Sequence, residues 1–302
     1  MSEQFYRYRY LMGAMQQNML TTTVRMMCID DDIRRIEEFT KAWQSASNLM
    51  AEYAKKEAHL PENISIEEPP ASIQARLEEI KQDTLFKSTF SAMPISFKVV
   101  DVDLLVAPQR EVNLDYVDSI RERIPGNTIE SLVEFCVGPR SNAPELTSLQ
   151  TAMNQVTYSS KSLDLRFLGG AQKSITEDDI SVAFGGGQPV EVATLLVGFG
   201  AAPINVFMAG NRLVLNNGFH RIVALKLAGI TKIPVVVQQA INPELEFPEQ
   251  MLGLTKKYLL EQPRPVLLKD FFNEALILEL RLKPRRKTVT VTWQSEDRIV
   301  PV

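Results

Sequence analysis

The stretch that decides the fold is Pro203-Ile-Asn-Val-Phe207, Asn211-Arg-Leu-Val-Leu-Asn-Asn-Gly-Phe-His-Arg-Ile-Val-Ala-Leu-Lys-Leu-Ala-Gly-Ile230 and Ile233-Pro-Val-Val-Val237. It reads as strand, strand, tight turn, helix and strand in succession. The turn is Asn216-Asn217-Gly218, and the helix begins at Phe219, His220 and Arg221. A helix start carries unpaired N–H groups and the positive end of the helix dipole, so it favours anions. Glycine before it lets backbone approach a ligand, and arginine offers a planar fork of donors. The spacing therefore predicts a phosphate pocket made by Asn217, Gly218, His220 and Arg221.

The same residues resemble the ParB/sulfiredoxin superfamily. Its Gly-x-(His/Arg)-Arg turn is similar to Gly218-Phe219-His220-Arg221, and its Ala-rich helix to Ala224 and Ala228. Its Gly-x-x-x-Ile-Pro-Val exit is similar to Gly229 through Ile233-Pro234-Val235, and its Pro-Ile-x-Val strand to Pro203-Ile204-Asn205-Val206. A second resemblance lies at Pro108-Gln109-Arg110, followed by Asn113 and by Ser119-Ile120. It implies that Gln109 and Arg110 join a nucleotide site, with CTP or ATP and Mg²⁺ as the expected ligands. The family's glutamate or cysteine position holds Phe219, which can serve neither as base nor as nucleophile. That departure argues against sulfiredoxin chemistry and against CTP hydrolysis of the ParB kind, and leaves ligand binding open.

The resemblance implies an α+β core over 93–240 with an insertion at about 125–198. A helical region, 1–92, precedes it, and an extension of helices and a strand, 241–302, follows. Asp30, Asp31 and Asp32 favour a helix start. Ile36, Phe39, Trp43, Ala46, Met50 and Tyr53 then form an apolar seam on one long 31–56 helix. Ile73, Leu77, Ile80 and Leu85 predict a second helix, and the two are expected to form an antiparallel pair. The seam packs either within the chain or as a homodimer interface.

Phe97 to Val106 reads as strand, and Asn113 as the cap of a Leu114–Arg123 helix. Val156–Tyr158 and Leu163–Phe167 read as strands meeting at Ser159-Ser160-Lys161. A short helix is expected from Thr176-Glu177-Asp178-Asp179, and a loop at Gly185-Gly186-Gly187, which lacks the Lys-Ser/Thr of a phosphate loop. Helices are expected around 249–260 and 270–282. Thr288 to Trp293 alternates as a half-buried strand. Before it, Arg281 to Lys287 carries five cations in seven positions. These guard an edge strand or, through Arg285, Arg286 and Lys287, contact nucleic acid.

Composition narrows the classes. The chain has 302 residues, 45% hydrophobic and 23% charged, with net charge −4, which argues against a general polyanion binder. Cys28 and Cys136 follow no metal spacing, and only His59 and His220 join them, so no metal site is expected. No apolar run reaches the length needed to span a bilayer, so a soluble cytoplasmic protein with no membrane partner is expected. Asp101, Asp103, Glu111 and Asp115 lie near the upstream motif as candidate carboxylates. The functions left are a regulatory or DNA-associated binder of a phosphate ligand, a phosphotransferase or nucleotide hydrolase, and a ligand-free scaffold.

Overall fold

The computed structural model describes residues 4–139, 143–176 and 190–300. The decisive stretch folds as its pattern requires. Asn205–Ala209 and Arg212–Asn217 are antiparallel strands, Phe219–Leu227 is a helix, and Lys232–Gln239 returns parallel to Asn205–Ala209. They form a five-stranded sheet in the order Arg212–Asn217, Asn205–Ala209, Lys232–Gln239, Ile95–Asp101, Ile66–Glu67. Consecutive apolar residues, rather than alternating ones, mark strands covered on both faces. Val235, Val236 and Val237 are accordingly buried, as are Leu213, Val214 and Leu215. On the helix Ile222, Val223, Ala224 and Leu225 are all buried.

A smaller sheet holds Tyr6–Leu11 between Ile277–Leu282 and Glu111–Asn113. Tyr6 to Leu11 pairs in register with Leu282 to Ile277, joining the two ends of this part of the chain. Asp32, 2% exposed, accepts from the backbone N–H of Arg281 at 2.7 Å and from its guanidinium at 2.8 Å. Arg264 donates to both carboxylate oxygens of buried Asp270, at 2.7 and 2.8 Å. Glu57 reaches the same guanidinium at 2.9 Å and Lys269 at 2.8 Å.

The chain divides into two compact units, Met1–Arg140 with Ala201–Pro284, and Ser141–Gly200 with Arg285–Val302. The segment set apart starts later than an insertion at 125: Ile129–Val137 is a helix whose Leu132, Val133, Cys136 and Val137 belong to the core of the first unit. In the second unit Thr147–Ala152, Gln155–Ser160 and Lys287–Thr292 make a three-stranded sheet with Gln155–Ser160 central. Leu165–Ser174 and Glu191–Phe199 make a two-stranded ribbon.

Several local expectations change. The 31–56 helix is two, Asp30–Arg34 and Ile36–Lys56, broken at Arg35, whose φ and ψ of −92° and 11° leave the helix. Its seam is internal: Phe39 and Ala46 are buried, and Trp43, Met50 and Tyr53 pack on the core. The Trp43 indole donates to the Met15 carbonyl at 2.8 Å, and Tyr53 accepts from Asn273 at 2.9 Å. The homodimer expected through 31–56 thus lacks its seam. Ala71–Gln82 packs on Ile129–Val137 rather than pairing with Ile36–Lys56, and Leu85 is exposed while Phe86 is buried.

Val102–Leu104 is a 3-10 turn that ends the strand early. The expected hairpin at 159–161 does not form, because its two strands belong to different sheets. The 249–260 helix shrinks to Lys256–Glu261 after a small hairpin of Gln250–Met251 and Leu254–Thr255. Residues 270–282 are a 3-10 turn, Leu268–Phe272, and the strand Ile277–Leu282. The expected helix at 177–179 and the Gly185–Gly187 loop lie outside the described residues.

Candidate functional site

The start of the Phe219–Leu227 helix is built by a left-handed glycine. Gly218 has φ +101°, and a Cβ there would stand 2.7 Å from Ile204, so both backbone and space require glycine. Asn217 braces the turn: its Oδ1 accepts from the Gly218 N–H at 2.8 Å and its amide donates to the Ala201 carbonyl. Asn216 and Gln238 both donate to Oδ1 of fully buried Asn205, at 2.7 and 2.9 Å. The Asn205 amide in turn donates to the Pro203 carbonyl at 2.9 Å. Buried amides must be paired, and here the pairing ties three adjacent strands.

Arg221 meets carbonyls where the sequence leads one to expect a phosphate. Its Nη1 donates to Phe135 at 3.0 Å and Cys136 at 3.4 Å, and Nη2 donates to Ala202. Phe135 and Cys136 end the Ile129–Val137 helix, whose C-terminal carbonyls carry the negative end of its dipole. A guanidinium there stabilises that helix end and clamps it to the segment that enters the Asn205–Ala209 strand. In this structure the Arg221 guanidinium is engaged by these three carbonyls. Phe219, 4% exposed, packs edge-on to Phe271 with ring centroids 4.9 Å apart. It is a core residue.

His220 faces the upstream motif. Its Nε2 accepts from the Asn113 backbone N–H at 3.2 Å, and its ring meets Tyr116 edge-on at 5.3 Å. Asn113 also caps its helix by accepting from Tyr116 N–H at 3.0 Å, and its amide donates to the Tyr8 hydroxyl at 3.1 Å. The helix Leu114–Arg121 packs along Phe219–Leu227. The two sequence segments that were read together are therefore neighbours in the structure.

Gln109 and Arg110 differ from this group in being unsatisfied. Arg110 Nη2 donates to the Gly253 carbonyl at 3.2 Å, and Nη1 lies 3.3 Å from Met19 Sδ. Its buried Nε has no partner among the described residues, and neither has Gln109 Oε1. No carboxylate pairs with Arg110 among the described residues, and burial lowers its pKa below the ordinary arginine value. Gly253, with φ +82° at the tip of the 250–255 hairpin, lays open backbone over the guanidinium. A desolvated cation held by one carbonyl and a thioether lacks a counter-anion.

The candidate carboxylates are mostly engaged. Asp115 and Asp118 hold Arg7 at 2.8 and 2.6 Å, Asp103 pairs with Lys226, and Asp101 accepts from the Asp103 N–H at 2.9 Å. Among the described residues no three His, Cys, Asp or Glu side chains gather as a metal-holding group. Cys136 is buried, and that burial pushes its thiol up to about 12, leaving no thiolate near neutrality. Arg285, Arg286 and Lys287 enter an edge strand, with Lys287 opposite Ser160. A cleft of about 660 Å³, lined by Asp118, Arg121, Glu122, Ala228 and Ile230, lies at the far end of the Phe219–Leu227 helix from His220.

Sequence reading missed Tyr8, Met19, Tyr116 and Gly253. Only Tyr116, three residues after its cap and 51% exposed, carried a local signal. Compared with known proteins, the chain matches no family model, no curated protein and no solved structure.

Proposed function

We propose that this chain binds a nucleotide or another phosphate-bearing ligand without turning it over, as a regulatory member of the ParB/sulfiredoxin-like group. Arg110 and Gln109, rather than Arg221, make the polar contacts. The observation that carries this reading is the pair of buried orphans, Arg110 Nε and Gln109 Oε1. One wants an acceptor and the other a donor. A phosphate oxygen would satisfy the Arg110 donor through directed, charge-assisted bonds, and a ligand hydroxyl or amino group the Gln109 acceptor. Phe219 supplies no base or nucleophile where the resemblance expects one, which favours binding over catalysis.

The test is a titration with CTP, ATP and ADP, with and without Mg²⁺, followed by calorimetry and by melting. Arg110→Ala is expected to weaken binding by about thirty- to a hundred-fold, the worth of ~2–3 kcal/mol in charged hydrogen bonds. It should leave the melting of the unliganded protein nearly unchanged. Binding accompanied by phosphate release would move the reading to a phosphotransferase or hydrolase. If no nucleotide shifts the melting, the internal use of Asn217, His220 and Arg221 favours the scaffold reading instead.

A further inference from the structure

We propose that the strand Thr147–Ala152 is a self-association edge, pairing antiparallel with the same strand of a second copy of this chain. Three features of the strand support this. The first is the strand's outer edge. All six of its residues are exposed, and among the described residues it pairs on one side only, with Gln155–Ser160. An open strand edge presents unpaired N–H and C=O groups, and chains that stay apart blunt such edges with charge or proline.

The second is the contrast with two other edge strands. Ile66–Glu67 carries ion pairs, Glu67 to Lys232 at 2.5 Å and the adjacent Glu68 to Lys98. Lys287–Thr292 opens on Lys287, directly after Arg285 and Arg286. Thr147-Ser-Leu-Gln-Thr-Ala152 has no charge and no proline. Any antiparallel register of this strand on its own copy therefore sets only uncharged residues opposite one another, with none of the like-charge cost that self-pairing normally carries. That self-complementarity is the condition for a closed two-fold interface, and it selects a second copy over a charged partner.

The third is the poverty of apolar burial around the strand. Among the described residues of this unit Leu165 is the buried apolar side chain, while Leu149 is 67% and Met153 92% exposed. Short sheets without a core are marginal alone and gain most from being extended. A register shift between Gln150 and Ala152 ends the regular run, so the pairing uses Thr147 to Gln150. Two three-stranded sheets then become one continuous sheet across the two-fold, and Leu149 of each copy is covered.

Sedimentation velocity and light scattering on the full chain, over a range of concentrations, test this. The expected result is a dimer whose mass falls by half in Leu149→Lys, with far-UV circular dichroism unchanged. Hydrogen exchange at 147–150 should slow as the parent protein is concentrated. If Leu149→Lys fails to fold, Ser148→Lys on the same edge replaces it. A parent that stays monomeric at every concentration overturns the proposal. So does a folded lysine variant that keeps the dimer mass, since the interface would then lie elsewhere.

Discussion

The sheet around the Phe219–Leu227 helix buries Val206, Leu213, Leu215, Ile222, Leu225, Val235 and Val236 completely or nearly so, together with charged groups that find partners inside it. In the second unit Phe167, Leu168, Leu195 and Leu196 of the two-stranded ribbon are all about half exposed. Both units are rich in β-structure and in apolar residues, so composition does not separate them. What separates them is whether a helix or a second layer covers the strands. In the first unit helices such as Ile129–Val137 and Phe219–Leu227 share the core with the strands, whereas among the described residues of the second unit there is no helix. Stability in this chain should therefore be set by the first unit, and its substitutions should rank by how deeply they cut into that covered layer.

The largest effect is expected at Asp270. Its carboxylate is 2% exposed and neutralises Arg264, whose side chain is fully buried. Asp270→Ala strands that guanidinium without its bidentate partner, and breaking one half of a buried pair costs about 3–5 kcal/mol. Chemical denaturation would read it as a lower midpoint. A loss below 1 kcal/mol would mean that Glu57 alone can hold the cation. Next is Arg221→Ala, which removes two contacts to carbonyls at the end of Ile129–Val137 and one to Ala202, and should cost about 1.5–3 kcal/mol in the unliganded protein. If melting is unchanged while phosphate affinity collapses, the clamp described above is wrong and Arg221 is a ligand residue. Gly218→Ala combines a left-handed backbone with the close approach of Ile204, and about 1–3 kcal/mol is expected.

Acid adds a graded effect in the same unit. Burial pushes the Glu57 carboxyl up, but hydrogen bonds and charges from Lys269 and Arg264 outweigh it and hold it below its ordinary 4.5. The unfolded chain then takes up a proton more readily than the folded one as pH falls below that value. The stability this group contributes is complete above pH 4.5 and fades as pH drops through its lower folded value. Glu57→Gln should flatten the pH dependence of melting below 4.5 relative to the parent. An unchanged slope would remove Glu57 from the account.

Legibility in the sequence follows the same division between local and distant causes. The strand-turn-helix-strand order around Gly218 was readable because glycine, periodicity and proline placement are local signals. So was the cap at Asn113. The role of Arg221 was not, since an arginine on a first helical turn looks the same whether it meets an anion or the carbonyls of Phe135 and Cys136, some eighty-five residues away. Ile277-Leu-Glu-Leu-Arg-Leu282 was open to a helical reading because leucines and charges suit either structure. Its strand state is decided by pairing with Tyr6–Leu11 at the other end of the chain. Unmet groups such as Arg110 Nε are the least legible of all, because they are defined by partners that the rest of the described residues do not supply.

The smallest expected effect closes the comparison from the other side. Leu168 lies on the ribbon, 52% exposed, with its Cδ1 over Gly198 at the spot a Cβ would reach, 3.0 Å away. Leu168 leaning over this glycine leaves a shallow apolar ledge on the ribbon, half exposed where Leu213 and Val235 are fully buried in the core of the first unit. Leu168→Ser removes a half-exposed side chain, so the midpoint of global unfolding should move by less than about 0.5 kcal/mol. Binding of a dye that reports exposed apolar surface should fall at the same time, since a half-exposed leucine is lost. A destabilisation like that of a core leucine, about 2–5 kcal/mol, would show that the ribbon is packed and cooperative with the rest. The contrast between a covered and an uncovered sheet would then fail at its clearest point.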